Sequence, residues 1–142
     1  MSEPASQLGG IKMMGKMIKH AKVINRKYGK MYLLVGPALD ENGYSLNLDI
    51  KILEILPRYK TSYHYHDNIE SVFIVLSGKL VAKINDNTFI VEKGDYILIK
   101  PFIKHQLINE SDDTAFVMEI MTPPYAKSHT IYEEEKGVSH DD

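Results

Sequence analysis

Short apolar segments separated by turn-forming residues make up the chain from Met31 to Met121. The turn signals are Gly36-Pro37, Asp40 to Gly43, Ser77-Gly78, Asn85 to Asn87 and Lys93 to Asp95. Segments of this length between turns are typical of β-strands and are too short for most helices. Eight or more short strands with almost no helix therefore predict an all-β sandwich or barrel.

The best alternating segment runs from Leu46 to Ile52. Its even-numbered residues are apolar, and Asn47, Asp49 and Lys51 between them are polar. A period of two is typical of a half-buried strand, so we expect the even-numbered side chains to face the core. The pattern slips near Leu53, where a β-bulge would fit.

The composition excludes several classes of protein. A chain of 142 residues with 44% hydrophobic residues is long enough for one domain with a substantial core. The net charge of −2 gives no reason to expect a nucleic acid partner, and the absence of cysteine rules out disulfides and thiolate metal ligands. No apolar run reaches the ~20 residues of a membrane span, and the start is polar, unlike a secretory signal. We predict a cytoplasmic protein with no membrane partner.

The two ends differ in composition from the centre. Residues 1–30 are predicted to form an N-terminal arm, in which Ile11 to Lys30 holds seven Lys and Arg and no acidic residue. The arm fits a short basic amphipathic helix, which could lie on a membrane surface, or a strand at Met17 to Ile24. We favour an arm that packs on the barrel or on a partner subunit, because Gly15 weakens a helix. Residues 126–142 are predicted to be a C-terminal tail.

Four residues suggest a metal site. His64 and His66 are two apart, so on a strand their rings share one face. Glu70 follows after three residues and begins an otherwise apolar strand, where an inward carboxylate needs a partner. His105 could close the set after further strands. Three imidazoles and one carboxylate suit a divalent first-row transition metal. His20, His129 and His140 have no such context and are expected to face solvent.

The segments around these residues resemble the two motifs of the cupin superfamily. Pro57 to Gly78 reads PRYKTSYHYHDNIESVFIVLSG, and Gly94 to Asn109 reads GDYILIKPFIKHQLIN. The first motif is His-any-His, three or four residues, Glu, and then Gly; the second contains Gly, Pro, His and Asn. The interval from Glu70 to Gly78 is one residue longer than usual, and the glycine between Pro and His is missing.

The resemblance implies a small single-domain metal-binding cupin. Its fold would be an antiparallel double-stranded β-helix, or jelly-roll, barrel over residues 31–125. Its metal ligands would be His64, His66, Glu70 and His105, and Asn109 would make a structural hydrogen bond within its turn. The resemblance also implies a homodimer, which would cover exposed strand edges.

A metal held by four protein ligands keeps two adjacent positions for a substrate or dioxygen. One Glu leaves a local charge of about +1, which favours an anionic oxygen ligand. We favour Fe or Mn, with Ni, Zn and Co as alternatives. The expected function is dioxygenase-like or isomerase-like chemistry on a small oxygen-rich molecule, with a slight preference for the dioxygenase.

Two alternatives to an enzyme stay open: a binding module for a sugar or an organic acid, and a barrel stabilised by a structural metal. The sequence identifies no catalytic residue beside the metal. The polar and aromatic side chains whose strands could reach the cavity are Lys51, Glu54, Tyr59, Tyr96 and Gln106.

Overall fold

The computed structural model describes residues 21–40, 43–124 and 130–132. These residues form eleven strands and no helix, so none of them belongs to a helix that could cross a membrane. The strands are β1 (Lys22–Arg26), β2 (Gly29–Val35), β3 (Asp49–Ile55), β4 (His64–His66), β5 (Glu70–Ser77), β6 (Lys79–Ile84), β7 (Asn87–Glu92), β8 (Tyr96–Ile99), β9 (His105–Ile108), β10 (Ala115–Thr122) and β11 (Thr130–Tyr132).

The strands form two antiparallel sheets. One has the order β1-β2-β3-β10-β5-β8, and the other has the order β11-β4-β9-β6-β7. Leu53, Phe73 and Val117 of the first sheet and Leu80 and Leu107 of the second belong to one buried apolar cluster. Strand β10 lies between β3 and β5, so distant parts of the chain alternate within a sheet, as in a jelly roll. The predicted all-β double-stranded β-helix is confirmed.

The six-stranded sheet begins before residue 31. β1 pairs with β2 from Lys22 opposite Leu33 to Arg26 opposite Gly29, and β2 continues the sheet to β3. For residues 22–26 the structure therefore has the strand rather than the helix. The rest of the predicted arm, residues 1–20, lies outside the described residues, as do Glu41, Asn42, 125–129 and 133–142.

The inner face of β3 is the one with the charged residues. Asp49 and Lys51 are buried together with Leu53 and Ile55, so the prediction that the even-numbered side chains face the core was wrong. Ile52 is also buried, but on the outer face, where it packs with Tyr32 and its neighbours. Pairing of β3 with β10 is continuous, and a register shift lies on β2, not at Leu53.

Tyr32 is expected to make stability depend on alkaline pH. Its hydroxyl donates a 2.6 Å hydrogen bond to Glu54. Burial, this bond and the charge of Glu54 raise the pKa of Tyr32 from 10.0 to about 12. Because the folded-state pKa is the higher one, the stabilisation is complete below pH 10 and is lost as the pH rises towards 12. We expect urea titrations to show a smaller loss over this range for Tyr32→Phe; equal losses would contradict this account.

Candidate metal centre

Three histidine side chains converge inside the barrel. His64 and His66 lie on the same face of β4, and His64 is directly opposite His105 of β9. The ring centroid of His64 is 4.5 Å from that of His105 and 4.9 Å from that of His66. One ring nitrogen of each residue lies within 4.8 Å of those of the other two. This spacing allows all three to contact a single ion.

Hydrogen bonds at Nδ1 orient these rings. His105 Nδ1 donates to the carbonyl oxygen of Ile103 at 2.9 Å, and a carbonyl oxygen can only accept, so a neutral His105 ring carries its proton on Nδ1 and its lone pair on Nε2. His64 Nδ1 lies 3.1 Å from the carbonyl oxygen and 3.0 Å from the hydroxyl of Ser62. His66 Nδ1 lies 2.9 Å from the hydroxyl of Thr130. Hydrogen bonds of this kind, at the ring nitrogen that does not bind the metal, are typical of metal-binding histidines. The three histidines are therefore suited to hold a metal ion.

His66 is held in the neutral form that binds metals. Burial, the nearby His105 and the charge of Lys51, in that order, lower the pKa of His66 from 6.5 to about 4, against a smaller opposing effect of Asp67. The Nε2 atoms of His66 and His105 are shielded from solvent. Near neutral pH the lone pair of His66 is therefore available without loss of a proton.

Glu70 is not brought to this centre. Its side chain is exposed, whereas Ser71, Phe73 and Val75 are the buried residues of β5. The ring of Phe73 lies 5.8 Å from that of His105, so the odd-numbered residues of β5 face the histidines. Side chains alternate along a strand, and Glu70 therefore points outward. Among the described residues the converging ligand atoms belong to His64, His66 and His105, and Glu70, the fourth predicted ligand, is not among them.

Ser71 occupies the position that the carboxylate was expected to fill. A gap of four residues after His66 leads to Ser71, and the interval from Ser71 to Gly78 is then the usual one. Ser71 Oγ is buried and makes no hydrogen bond to any described residue. Gly78 has φ of +84°, and a Cβ there would lie 2.9 Å from Cα of Ala115, so the turn requires glycine. Pairing of β5 with β8 and β10 places Ser71, and not Glu70, among the residues of this strand that face inward.

Three charged side chains lie on the opposite wall of the cavity. Lys51 of β3 is directly opposite Glu119 of β10, and Glu119 is directly opposite Phe73. Lys51 Nζ is 3.6 Å from Asp49 Oδ1, and all three charged residues are at most 9% exposed. Such residues are rarely buried unless they are paired or functional. Sequence analysis named Lys51 but missed Asp49 and Glu119, although a Glu within the apolar strand AFVMEIMT was a signal.

The other polar and aromatic side chains that the sequence suggested for the cavity do not line it. Tyr59 and Tyr96 are exposed, and Glu54 accepts the hydrogen bond of Tyr32 on the outer face. Gln106 is buried, and its side chain donates to the carbonyl of Thr61 at 2.7 Å, so its role is structural. His20, His129 and His140 lie outside the described residues, so their predicted exposure stays a prediction.

The C-terminal segment also contributes to the site. Thr130–Tyr132 pairs with β4, which places Thr130 opposite His66 and Tyr132 opposite His64. The ring of Tyr132 is 5.6 Å from that of His64. Part of the segment predicted to be a tail is thus a strand beside two of the ligands.

Two antiparallel sheets around an inward group of three histidines define a double-stranded β-helix protein with a metal-type centre. The chain belongs to the cupin family: the family model for the cupin domain matches residues 51–121. It is also 30% identical over 71 residues to an uncharacterized protein of Methanocaldococcus jannaschii, in a match that covers 50% of this chain and 57% of that protein. The chain thus spans little more than half of that relative.

Solved structures share the fold. A putative sugar phosphate isomerase from Acidithiobacillus ferrooxidans has a TM-score of 0.67 at 18% identity, over 86% of this chain and 78% of that one. A cupin-superfamily sugar phosphate isomerase from Silicibacter pomeroyi has a TM-score of 0.62 at 21% identity, over 74% and 66%. KdgF from a Halomonas species has a TM-score of 0.61 at 11% identity, over 74% and 88%. At these identities the likeness concerns the fold alone.

Proposed function

We propose that this cupin is a metal-dependent enzyme in which His64, His66 and His105 hold one divalent transition metal ion and present it to a small oxygen-rich molecule. The observation that carries the proposal is the convergence of the three imidazoles, one ring nitrogen of each lying within 4.8 Å of the others, with Nδ1 of His64 and His105 held by hydrogen bonds to Ser62 and Ile103. Hydrogen bonds at Nδ1 that leave the other ring nitrogen for an ion are typical of metal-binding histidines.

Without Glu70 the expected properties of the centre change. Three neutral imidazoles leave a divalent ion its full +2 charge, rather than the +1 that a carboxylate ligand would leave. An anionic ligand is therefore favoured more strongly. The all-imidazole set also removes the main argument for Mn, since imidazole suits Fe, Ni, Co and Zn. We propose Fe as the physiological metal.

The buried charges of the cavity wall favour catalysis over simple binding. When bound, the ion would polarise a ligand oxygen and, if it is redox-active, support reaction with dioxygen. Glu119 is a buried carboxylate on the inner face of β10 and provides the proton acceptor that the sequence did not reveal. Lys51 supplies positive charge near His66. We therefore rank the metal-assisted binding module second.

The dioxygenase-like and isomerase-like reactions predict different roles for Glu119. We propose the dioxygenase first, because much of the cavity wall is apolar and excludes water. The isomerase is supported by Glu119, by the fold that the chain shares with proteins named sugar phosphate isomerases, and by the need of such a reaction for a proton acceptor.

The test is turnover by Fe(II)-reconstituted protein on a panel of diols, 2-oxo acids and sugar phosphates, followed by oxygen consumption and by deuterium uptake from D2O. We expect oxygen consumption with at least one compound, and less effect of Glu119→Gln on it than on proton exchange. Proton exchange without oxygen consumption, reduced about 100-fold or more in Glu119→Gln, would favour the isomerase. Binding without either reaction would leave the binding module.

The predicted homodimer, the cytoplasmic location and the absence of nucleic acid and membrane partners stay predictions. The outer face of the six-stranded sheet is relevant to the predicted homodimer. Tyr96 and Leu98 are exposed there, beside the half-buried Val72 and Ile74 to which they are register partners.

A further inference from the structure

The cavity that contains the histidines has two chemically different ends. Its volume is about 220 Å³. At one end are the three histidines with Asp49, Lys51 and Glu119. The other end lies against β2 and the loop that follows it, and its apolar lining residues are Ile24, Met31, Leu33, Val35, Ala38 and Leu39.

Strand register shows how the two ends are connected. Leu33, Lys51, Glu119 and Phe73 are successive neighbours across β2, β3, β10 and β5. Phe73 contacts the ring of His105, and Leu33 belongs to the apolar end. The pair of charged residues therefore lies between the histidines and the apolar lining. A ligand that reaches from one end to the other must pass Lys51 and Glu119.

The polar end is suited to an anionic group. Lys51 is 5% exposed, so its charge is little screened by water, and Asp49 holds its ammonium group at 3.6 Å. Asp49 and Glu119 together outweigh Lys51 by one negative charge, and the three histidines, if neutral, would add none, so a bound divalent cation would leave this end with a net charge of about +1. An anionic oxygen group between the histidines and Lys51 would compensate this charge.

The apolar end is unsuited to a polyhydroxylated body. The side chains of Met31, Leu33 and Val35 offer no hydrogen-bonding group, and a buried hydroxyl that loses its water partners without replacement is unfavourable. Arg26 also lines this end: its aliphatic stem is apolar, and its guanidinium, whose Nε is shielded from solvent, is the charged group there among the described residues. The small volume, below the ~300 Å³ of most ligand pockets, excludes a large molecule.

We propose that the ligand is a small carboxylate with an apolar body, such as a branched 2-oxo acid, rather than a sugar phosphate. Its anionic oxygens lie between the histidine centre and Lys51, and its body fills the end lined by β2 and the following loop. This inference rests on the proposed function, because the histidine centre contributes to binding the head. Lys51 is a binding residue for the head, and Leu33 determines specificity for the body.

The test is calorimetric titration of the full-length chain, loaded with Fe(II) under argon and with its metal content measured first. The probes are 4-methyl-2-oxopentanoate, pyruvate and ribose 5-phosphate. The two 2-oxo acids share one head and differ by three carbon atoms, so we expect the branched acid to bind about 50-fold more tightly. Ribose 5-phosphate is expected to bind more weakly than the branched acid.

Two variants separate the head from the body. Lys51→Met should weaken the binding of both 2-oxo acids by about tenfold or more. The ratio of their two affinities should be preserved, because only the head contacts this position. Leu33→Ser should reduce this ratio of affinities and leave the affinity for pyruvate unchanged. Leu33 is half-buried, so this variant is expected to fold even if Lys51→Met does not.

The outcomes distinguish this inference from the proposed function. In one outcome the protein binds metal while pyruvate binds as tightly as the branched acid, or while ribose 5-phosphate binds more tightly than the branched acid. Either result would show that the proposed substrate class is wrong and would leave the metal centre in place. If no metal binds, the proposed function fails, and the same titrations on the metal-free chain decide the substrate class by the same ranking.

Discussion

Replacing His105 with alanine is expected to abolish stoichiometric metal binding. The wild-type protein, purified without an affinity tag or chelator, should retain about one equivalent of a divalent transition metal, as expected for one histidine centre. His105→Ala removes one of three converging nitrogens, so we expect the affinity to fall by more than about 100-fold, beyond the usual cost of losing a supporting hydrogen bond. Mass spectrometry of metal content and competition with a chromogenic chelator measure the effect.

Glu70→Ala is the matched control for this experiment. Because Glu70 is exposed and on the outer face of β5, this variant should bind metal as the wild type does. If Glu70→Ala lost the metal, the carboxylate would be a ligand and the description of β5 at the site would be wrong. If the wild type bound no metal even after reconstitution, the proposed metal centre would have to be abandoned.

Replacing Asn109 with alanine is expected to cause a large loss of stability outside the metal site. Asn109 is 1% exposed, and its side-chain nitrogen donates to the carbonyls of Ile55 at 2.9 Å and Asp113 at 2.8 Å. Its side-chain oxygen accepts hydrogen bonds from the backbone nitrogen and the hydroxyl of Ser111. The truncation would leave buried partners unsatisfied, so we expect the free energy of unfolding to fall by about 3 kcal/mol. Urea denaturation measures this loss.

Ser111→Ala serves as the control for Asn109→Ala. Ser111 donates one side-chain hydrogen bond to Asn109 at 2.7 Å, in a partly exposed turn, so its removal should cost about 1 kcal/mol. Folded Asn109→Ala protein should still bind metal, because its contacts tie β3 to the turn after β9 and include no histidine. A loss below about 0.5 kcal/mol, typical of surface substitutions, would contradict the structural role given to this side chain.

The errors of sequence analysis lie where both faces of a strand carry apolar residues. Val72, Ile74 and Leu76 follow Glu70 on one face of β5, while Phe73 and Val75 lie on the other. Either face could have been the inner one by composition alone. In β3 the buried Ile52 made the even-numbered face look like the core, although Asp49 and Lys51 face the cavity. The outer face of this sheet buries an apolar cluster of its own. The alternation of apolar and polar residues that normally distinguishes the inner face of a strand from the outer one is therefore lost.

The amino-acid sequence by itself determined the all-β class and the histidines of the centre. The turn residues limit every element to strand length, and the two-residue interval from His64 to His66 places both rings on one face whichever sheet they join. Tertiary structure alone decided that Ser71 rather than Glu70 faces inward, and that Asp49, Lys51 and Glu119 meet opposite the histidines. The physical reason is that a shift of one residue reverses both faces of a strand, and this phase depends on pairing with distant strands.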